Sequence, residues 1–129
     1  MIWTRRLTLA KRKMMIMANA PARDDAFMAR VEEIVRRNLA NVDYGVDDLS
    51  RDLSMSRMNM YRRFQAESSV TPSEFIRLYR LRRASELLRT TTKSVTEIAY
   101  EVGFTSPQYL AKCFRDEFGI TPRQARGES

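Results

Sequence analysis

Two short segments of the chain place cationic and hydrogen-bonding side chains where they could contact the edges of nucleic-acid bases. The first segment carries Arg57, Asn59, Arg62 and Arg63, and the second carries Ser106, Gln108, Tyr109 and Lys112. Arginine can pair with guanine through two hydrogen bonds, and glutamine can pair in the same way with adenine. Side chains of these types could therefore read bases.

Each segment must form an amphipathic helix for these side chains to share an exposed face. Met60 and Phe64 in the first segment, and Leu110 and Phe114 in the second, recur at the helical spacing of four and predict the buried stripe. A solvated polar face is the ordinary interpretation of such arginines. Because no acidic residue lies within residues 54–66, contact with DNA is favoured instead.

The two segments belong to a duplicated unit. At a shift of 49 residues, the apolar positions Val46, Leu49 and Leu53 correspond to Val95, Ile98 and Val102. At a shift of 50, the phrase "VTP" of residues 70–72 corresponds to "ITP" of residues 120–122, so the second unit gains one residue in its turn. Each unit contains a short helix, a turn and a second helix, which predicts two helix-turn-helix motifs.

The two "TP" phrases predict helix starts. Thr71 precedes Pro72 and is followed three residues later by Glu74, and Thr121 is followed in the same way by Gln124. This spacing is typical of a capping box with proline at the first helical position. The first phrase should begin a long helix of about 20 residues that joins the units, and the second a short terminal helix.

Composition and charge limit the fold and the function. The 129 residues include 43% hydrophobic residues in mostly helical spacing, which predicts an all-α fold with one core or two small ones. The net charge of +7 is unevenly distributed: residues 1–23 contribute +6, residues 24–53 −4, residues 54–93 +6 and residues 94–129 −1. With no histidine, a single cysteine and no glycine-rich phosphate loop, the sequence indicates neither an enzyme, a metal site nor a cofactor.

Residues 1–23 form a basic, methionine-rich segment that we treat as an appendage to a domain spanning residues 24–129. A secretory signal is disfavoured because three basic residues interrupt the apolar stretch. A basic amphipathic helix that contacts a partner, a membrane surface or DNA remains open, as does disorder. No apolar run is long enough to span a bilayer.

Hydroxyl residues begin each base-facing helix. Ser56 precedes the first helix, and Thr105 and Ser106 precede the second. These residues can cap the helix, or they can lie beside a phosphate that the free amide groups bind. The expected phosphate contacts are Ser56, Arg57, Arg63, Thr105, Ser106 and Arg115.

The phrases "SRMNMYRRF", "TPSEFIRLYRLRRASELL", "SVTEIAYEVGF" and "SPQYLAKCFRDEFGITPRQ" resemble the DNA-binding domain of the AraC/XylS family of bacterial transcription regulators. The likeness covers roughly residues 24–126 and is greatest to output domains of response regulators and hybrid two-component sensors. The resemblance implies seven helices, with two helix-turn-helix units joined by a long central helix. It also implies that two recognition helices, about 57–67 and 107–117, enter successive major grooves on one face of double-stranded DNA.

Carried over by position, the resemblance implies which side chains contact bases. They are Met58, Tyr61, Arg62, Pro107, Gln108, Tyr109, Ala111 and Lys112. Pro107 and Ala111 offer no side-chain hydrogen bond and Met58 offers only apolar contact, so the recognised sequence does not follow from them. Arg62 and Gln108 remain the strongest candidates for reading bases, because their side chains can each make two hydrogen bonds to a base. Such domains commonly lie at the C-terminus of a longer regulator, and 23 additional residues are too few for a sensing domain.

The linker helix carries five arginines that cannot all face DNA from a central helix. We expect some to bind phosphates and others to pair with the acidic first helices, with Arg80 and Arg83 as candidates for structural ion pairs. Cys113 corresponds to Arg63 in the repeat and adjoins the predicted core, which favours a packing role over redox sensing.

The expected partner is double-stranded DNA, with RNA polymerase as a further candidate, in the cytoplasm at the nucleoid. The isolated domain is expected to bind as a monomer, while dimerisation within a longer parent protein stays open. The rival hypothesis is a helical adaptor that binds a protein or an anionic membrane through residues 1–23. Salt-sensitive binding to duplex DNA distinguishes the two.

Overall fold

The computed structural model describes residues 25–128, and these residues form seven helices and no strand. The helices are α1 (Asp25–Arg37), α2 (Val46–Asp52), α3 (Arg57–Glu67), α4 (Pro72–Thr90), α5 (Val95–Glu101), α6 (Pro107–Phe118) and α7 (Pro122–Arg126). The predicted all-α fold with seven helices is confirmed. The basic segment 1–23 and the alternatives raised for it lie outside the described residues.

The long central helix α4 contributes to two separate hydrophobic cores. Its first half gives Phe75 and Tyr79 to a core built with α1, α2 and α3. Its second half gives Leu81 and Leu88 to a core built with α5, α6 and α7. One helix therefore carries both helix-turn-helix units, which explains how 104 described residues support two small cores.

The duplicated units share the same turn. After α2, the Met55 amide donates to the carbonyl of Ser50 at 3.0 Å, and after α5 the Phe104 amide donates to the carbonyl of Ala99 at 2.9 Å. This bond defines a Schellman motif, which requires a left-handed residue just beyond the helix. Ser54 (φ 56°) and Gly103 (φ 88°) occupy that position in the two units.

Both "TP" phrases begin helices as predicted. The Thr71 hydroxyl accepts from the Glu74 amide, while the Glu74 carboxylate accepts from the Thr71 amide at 3.0 Å. Thr121 and Gln124 repeat this exchange at the start of α7. The capping boxes thus set where the linker helix and the terminal helix begin.

The arginines of α4 have different partners, and the expectation of an Arg80 ion pair is wrong. The Arg80 side chain is 6% exposed and donates only to backbone carbonyls among the described residues. Arg82 does pair with the acidic first helix, at 3.3 Å from Glu32. Arg83 pairs with Glu86 of its own helix at 3.1 Å. The apolar surroundings of Arg80 contain loop carbonyls rather than carboxylates, and these satisfy its donors.

Candidate nucleic-acid interface

Helix α3 presents an exposed face made of the predicted base-contacting residues. Met58 is 63% exposed and Tyr61 is 37% exposed, whereas Met60 and Phe64 are buried. Arg62 is exposed, and its Nη2 lies 3.3 Å from the Met58 sulfur. The structure therefore brings Met58, Tyr61 and Arg62, the base contacts that the resemblance implied, onto one surface.

Helix α6 repeats this arrangement in the second unit. Gln108, Tyr109 and Lys112 are exposed around the buried Leu110 and Phe114. Pro107 and Ala111, the two predicted base contacts without a side-chain hydrogen bond, are half-buried. The exposed members of this predicted set are thus its three polar side chains.

The serines before both helices act as N-caps. The Ser56 hydroxyl accepts from the Asn59 amide at 3.1 Å, and the Ser106 hydroxyl accepts from the Tyr109 amide at the same distance. Thr105 is the extra residue of the second turn and is exposed. Capping leaves the Arg57 and Met58 amides of α3 without a partner in their own helix, where an anion can approach. In α6 only the Gln108 amide remains, because Pro107 has no amide hydrogen and Tyr109 donates to Ser106.

The predicted phosphate-contacting arginines lie in three different environments. Arg57 forms an ion pair with Asp47 of α2 at 3.3 Å, and a hydrogen bond with Tyr61, followed by the charge of Asp47, raises its pKa. Arg63 is half-buried, with its guanidinium carbon 4.3 Å from the ring centroid of Phe27 in α1. Arg115 is exposed on α6. The three arginines are thus not gathered at one place, and Arg63 packs against the first core.

Tyr109 is held in place on the α6 face by two contacts. Its ring meets Phe104 edge-on, with centroids 5.7 Å apart. A hydrogen bond with the Cys113 side chain is the main cause that raises the pKa of Tyr109. Cys113 itself is buried, which agrees with the predicted packing role.

A cleft of about 380 Å³ separates the two units on the side where α6 begins. Its walls come from the loop before α2, the first turns of α4 and the turn before α6. Arg77 and Arg80 line it together with Tyr109. Arg77 is exposed, whereas Arg80 is buried and donates hydrogen bonds to backbone carbonyls of both units.

Sequence reasoning missed the roles of Arg80 and its neighbour Gly103. The Arg80 guanidinium donates to the carbonyls of Asn41 at 3.0 Å and Tyr44 at 3.4 Å in the first unit. It also donates to the carbonyls of Val102 at 3.4 Å and Gly103 in the second. The available signal was spacing, since Arg80 lies four residues after Ile76 and four before Ala84 on the apolar side of α4. That spacing does not indicate which carbonyls converge on the guanidinium.

Two negative findings concern residues 25–128. No group of His, Cys, Asp or Glu side chains there is arranged to hold a metal ion. No helix among these residues has the length and apolarity that crossing a membrane requires.

Paired helix-turn-helix motifs, each with an exposed second helix, define a tandem helix-turn-helix domain. A family model described as a helix-turn-helix domain matches residues 49–128. A solved transcriptional regulator from Chromobacterium violaceum, described as AraC-type, has a TM-score of 0.70 and 29% identity and covers 77% of this chain and 88% of its own. The chain belongs to the AraC-type helix-turn-helix family, whose fold is that of DNA-binding transcription regulators.

Other similar proteins differ in what surrounds the domain. Histidine kinase P4 of Formosa agariphila is 39% identical over 101 residues, and the regulator GbdR of Pseudomonas aeruginosa is 36% identical over 99. The matches cover 78% and 75% of this chain but only 7% and 27% of those proteins. The DNA-binding domain of AdpA, solved in complex with a target DNA, has a TM-score of 0.71 at 31% identity and covers 78% of this chain and 89% of its own.

Proposed function

We propose that this chain binds double-stranded DNA sequence-specifically as a bacterial transcription regulator, with α3 and α6 in successive major grooves. The observation that carries the proposal is the equivalence of the two helices. Each follows the same Schellman turn, begins at a capping serine and exposes its polar residues opposite a buried stripe. The resemblance to the AdpA domain, which was solved with DNA, supports the same function.

Base readout is assigned to the exposed side chains. Met58, Tyr61 and Arg62 act from α3, and Gln108, Tyr109 and Lys112 act from α6. Pro107 and Ala111 lie at the edge of that surface and would give apolar contacts. Ser56, Arg57, Arg63, Thr105, Ser106 and Arg115 complete the proposal as phosphate contacts.

The context of the domain is also part of the proposal. Residues 24–129 would fold as the DNA-binding domain, with residues 1–23 as an appendage. The chain would act in the cytoplasm at the nucleoid, bind an asymmetric site as a monomer and contact RNA polymerase. The tandem, non-identical units support asymmetric binding, since a palindrome mirrors a two-fold axis that these units lack.

Selection of bound sequences from a random duplex pool, followed by a salt titration, tests the proposal. Neutralising roughly 4–8 phosphates gives a log–log slope of about −4 to −7 between affinity and salt concentration. A slope near zero, or no enriched sequence, would contradict it. A chain that begins at residue 24 should retain the selected affinity, whereas an adaptor acting through residues 1–23 would bind its partner without a duplex.

A further inference from the structure

Arg77 is an exposed cationic side chain of α4 at the cleft between the two units. It lines this cleft beside Thr105 and Tyr109 at the start of α6. Hydrogen bonding with Cys113 raises the pKa of Tyr109, and the positive charge of Arg77 opposes that rise. Arg77 therefore lies near Tyr109, to which a base contact is assigned, and near Thr105, to which a phosphate contact is assigned.

The charge of Arg77 is not neutralised within the domain. Between residues 25 and 128, no carboxylate forms an ion pair with it. Glu74, which lines the same cleft, already uses its carboxylate to cap α4 at the Thr71 amide. The next arginines along the helix bind elsewhere: Arg80 to loop carbonyls and Arg82 to Glu32. Arg77 thus keeps its donors available for an external anion.

DNA geometry indicates what would face this side chain. Major and minor grooves alternate along one face of B-DNA, and successive major grooves are about 34 Å apart. If α3 and α6 lie in two such grooves, the minor groove between them faces the cleft that separates the units. A narrow minor groove has enhanced negative potential and attracts arginine.

We infer that Arg77 inserts into the minor groove between the two major-groove sites and makes affinity depend on the width of that groove. The inference rests on the proposed function. The Arg77 contact would add specificity at base pairs that neither recognition helix touches. A·T-rich spacers, whose minor groove is narrow, would bind more tightly than G·C-rich spacers.

The experiment uses the full chain and the duplex selected from a random pool. The spacer between the two recognised segments is made A·T-rich, G·C-rich or inosine·cytosine-rich, and dissociation constants are measured by fluorescence anisotropy. An inosine·cytosine pair lacks the guanine amino group in the minor groove but keeps the guanine pattern in the major groove. It therefore separates readout through the two grooves.

We expect the wild-type chain to bind the A·T and inosine·cytosine spacers on the order of tenfold more tightly than the G·C spacer. Arg77→Ala should reduce this ratio to about one. Arg89→Ala is the matched control, since Arg89 is exposed on the same helix outside the cleft, and it should leave the ratio unchanged. Arg77→Lys should keep most of the overall affinity but lose part of the spacer preference.

Two results would overturn the inference while leaving DNA binding intact: a wild-type ratio near one, or an unchanged ratio in Arg77→Ala. Failure of the wild-type chain to bind any duplex would overturn the proposed function itself. A thermal melt of each variant identifies any loss caused by unfolding, and Arg77→Lys then serves as the folded comparison.

Discussion

The guanidinium of Arg80 donates a hydrogen bond to the carbonyl of Gly103, a residue in the turn of the second helix-turn-helix unit. The other end of the same guanidinium donates to the Asn41 carbonyl, in the loop before the first unit's α2. One side chain of the shared helix therefore joins both units. Because a planar guanidinium has fixed donor directions, this contact restrains the loop before α2 and the turn before α6 relative to α4.

Replacing Arg80 tests this connection. Arg80→Lys should lower the free energy of unfolding by about 2–4 kcal/mol, because a single ammonium cannot reach carbonyls on both sides and leaves some of them buried and unpaired. Arg83→Lys is the control, since Arg83 is exposed and pairs within its own helix, and it should change little. Urea unfolding compares the two. Equal stability of both variants would show that Arg80 does not connect the units.

Gly103 should tolerate no side chain, for two separate reasons. Its φ of +88° is unfavourable for other residues, and a Cβ would overlap the Arg80 guanidinium and the Leu39 carbonyl. We expect Gly103→Ala to cost about 3 kcal/mol or more. Gly119→Ala separates the reasons, because Gly119 has a similar φ of +81° with nothing within 4 Å of a Cβ. That control should cost about 1–2 kcal/mol, and equal losses at both glycines would exclude the overlap as a cause.

The free energy of unfolding should fall in alkaline solution, partly because the Tyr44 hydroxyl loses its proton more readily in the unfolded chain. Burial, followed by the hydrogen bond from its hydroxyl to Asp52 at 2.7 Å, raises the pKa of Tyr44. The unfolded chain loses this proton near pH 10, whereas the folded chain keeps it to higher pH. The stability that Tyr44 contributes is therefore complete below about pH 10 and declines above it.

The variant Tyr44→Phe should flatten part of that decline in urea unfolding measured between pH 8 and 11. Tyr100→Phe, at a residue 54% exposed, is the control. If both variants follow the wild-type pH profile, Tyr44 does not carry the effect.

Arg62 and its neighbour Arg63 should play different roles in DNA binding, Arg62 by reading a base and Arg63 by contacting a phosphate. Arg62→Ala should cost about 1–3 kcal/mol on the selected site and relax the preference at one base pair. Arg63→Ala should weaken binding on all sequences alike and lower the salt slope by about one. Because Arg63 also packs over Phe27, its loss should reduce stability by about 0.5–1 kcal/mol. Equal losses of Arg62→Ala on selected and scrambled DNA would show that Arg62 does not read a base.

The features that the sequence predicted are those set by local interactions. The capping boxes at Thr71 and Thr121 and the buried stripes depend on residues three to seven positions apart, so their spacing is visible in the chain. The repeat is visible for another reason, since the chain resembles itself at a shift of 49 or 50 residues. The partners of Arg80 are 22 to 39 residues away and are backbone atoms, which have no sequence signature.

The sequence also did not predict the left-handed conformation of Ser54 or the contact between Arg63 and Phe27. A left-handed Ser54 is not indicated by its residue type, although the equivalent Gly103 is a typical left-handed residue. Arg63 faces Phe27 because α1 packs across α3, and that register could not be derived from either helix alone. The sequence therefore predicts the exposed faces of the two helices better than it predicts which arginines remain free for DNA.

Hydroxyl-radical footprinting of the full chain on its selected duplex tests the central claim most directly. With α3 and α6 in successive major grooves, protection should fall in two backbone segments on one face of the duplex, with centres about 10 base pairs apart. Arg62→Ala should weaken one segment and Gln108→Ala the other. Protection confined to a single groove, or spread evenly around the duplex, would contradict a domain that reads DNA with both helices.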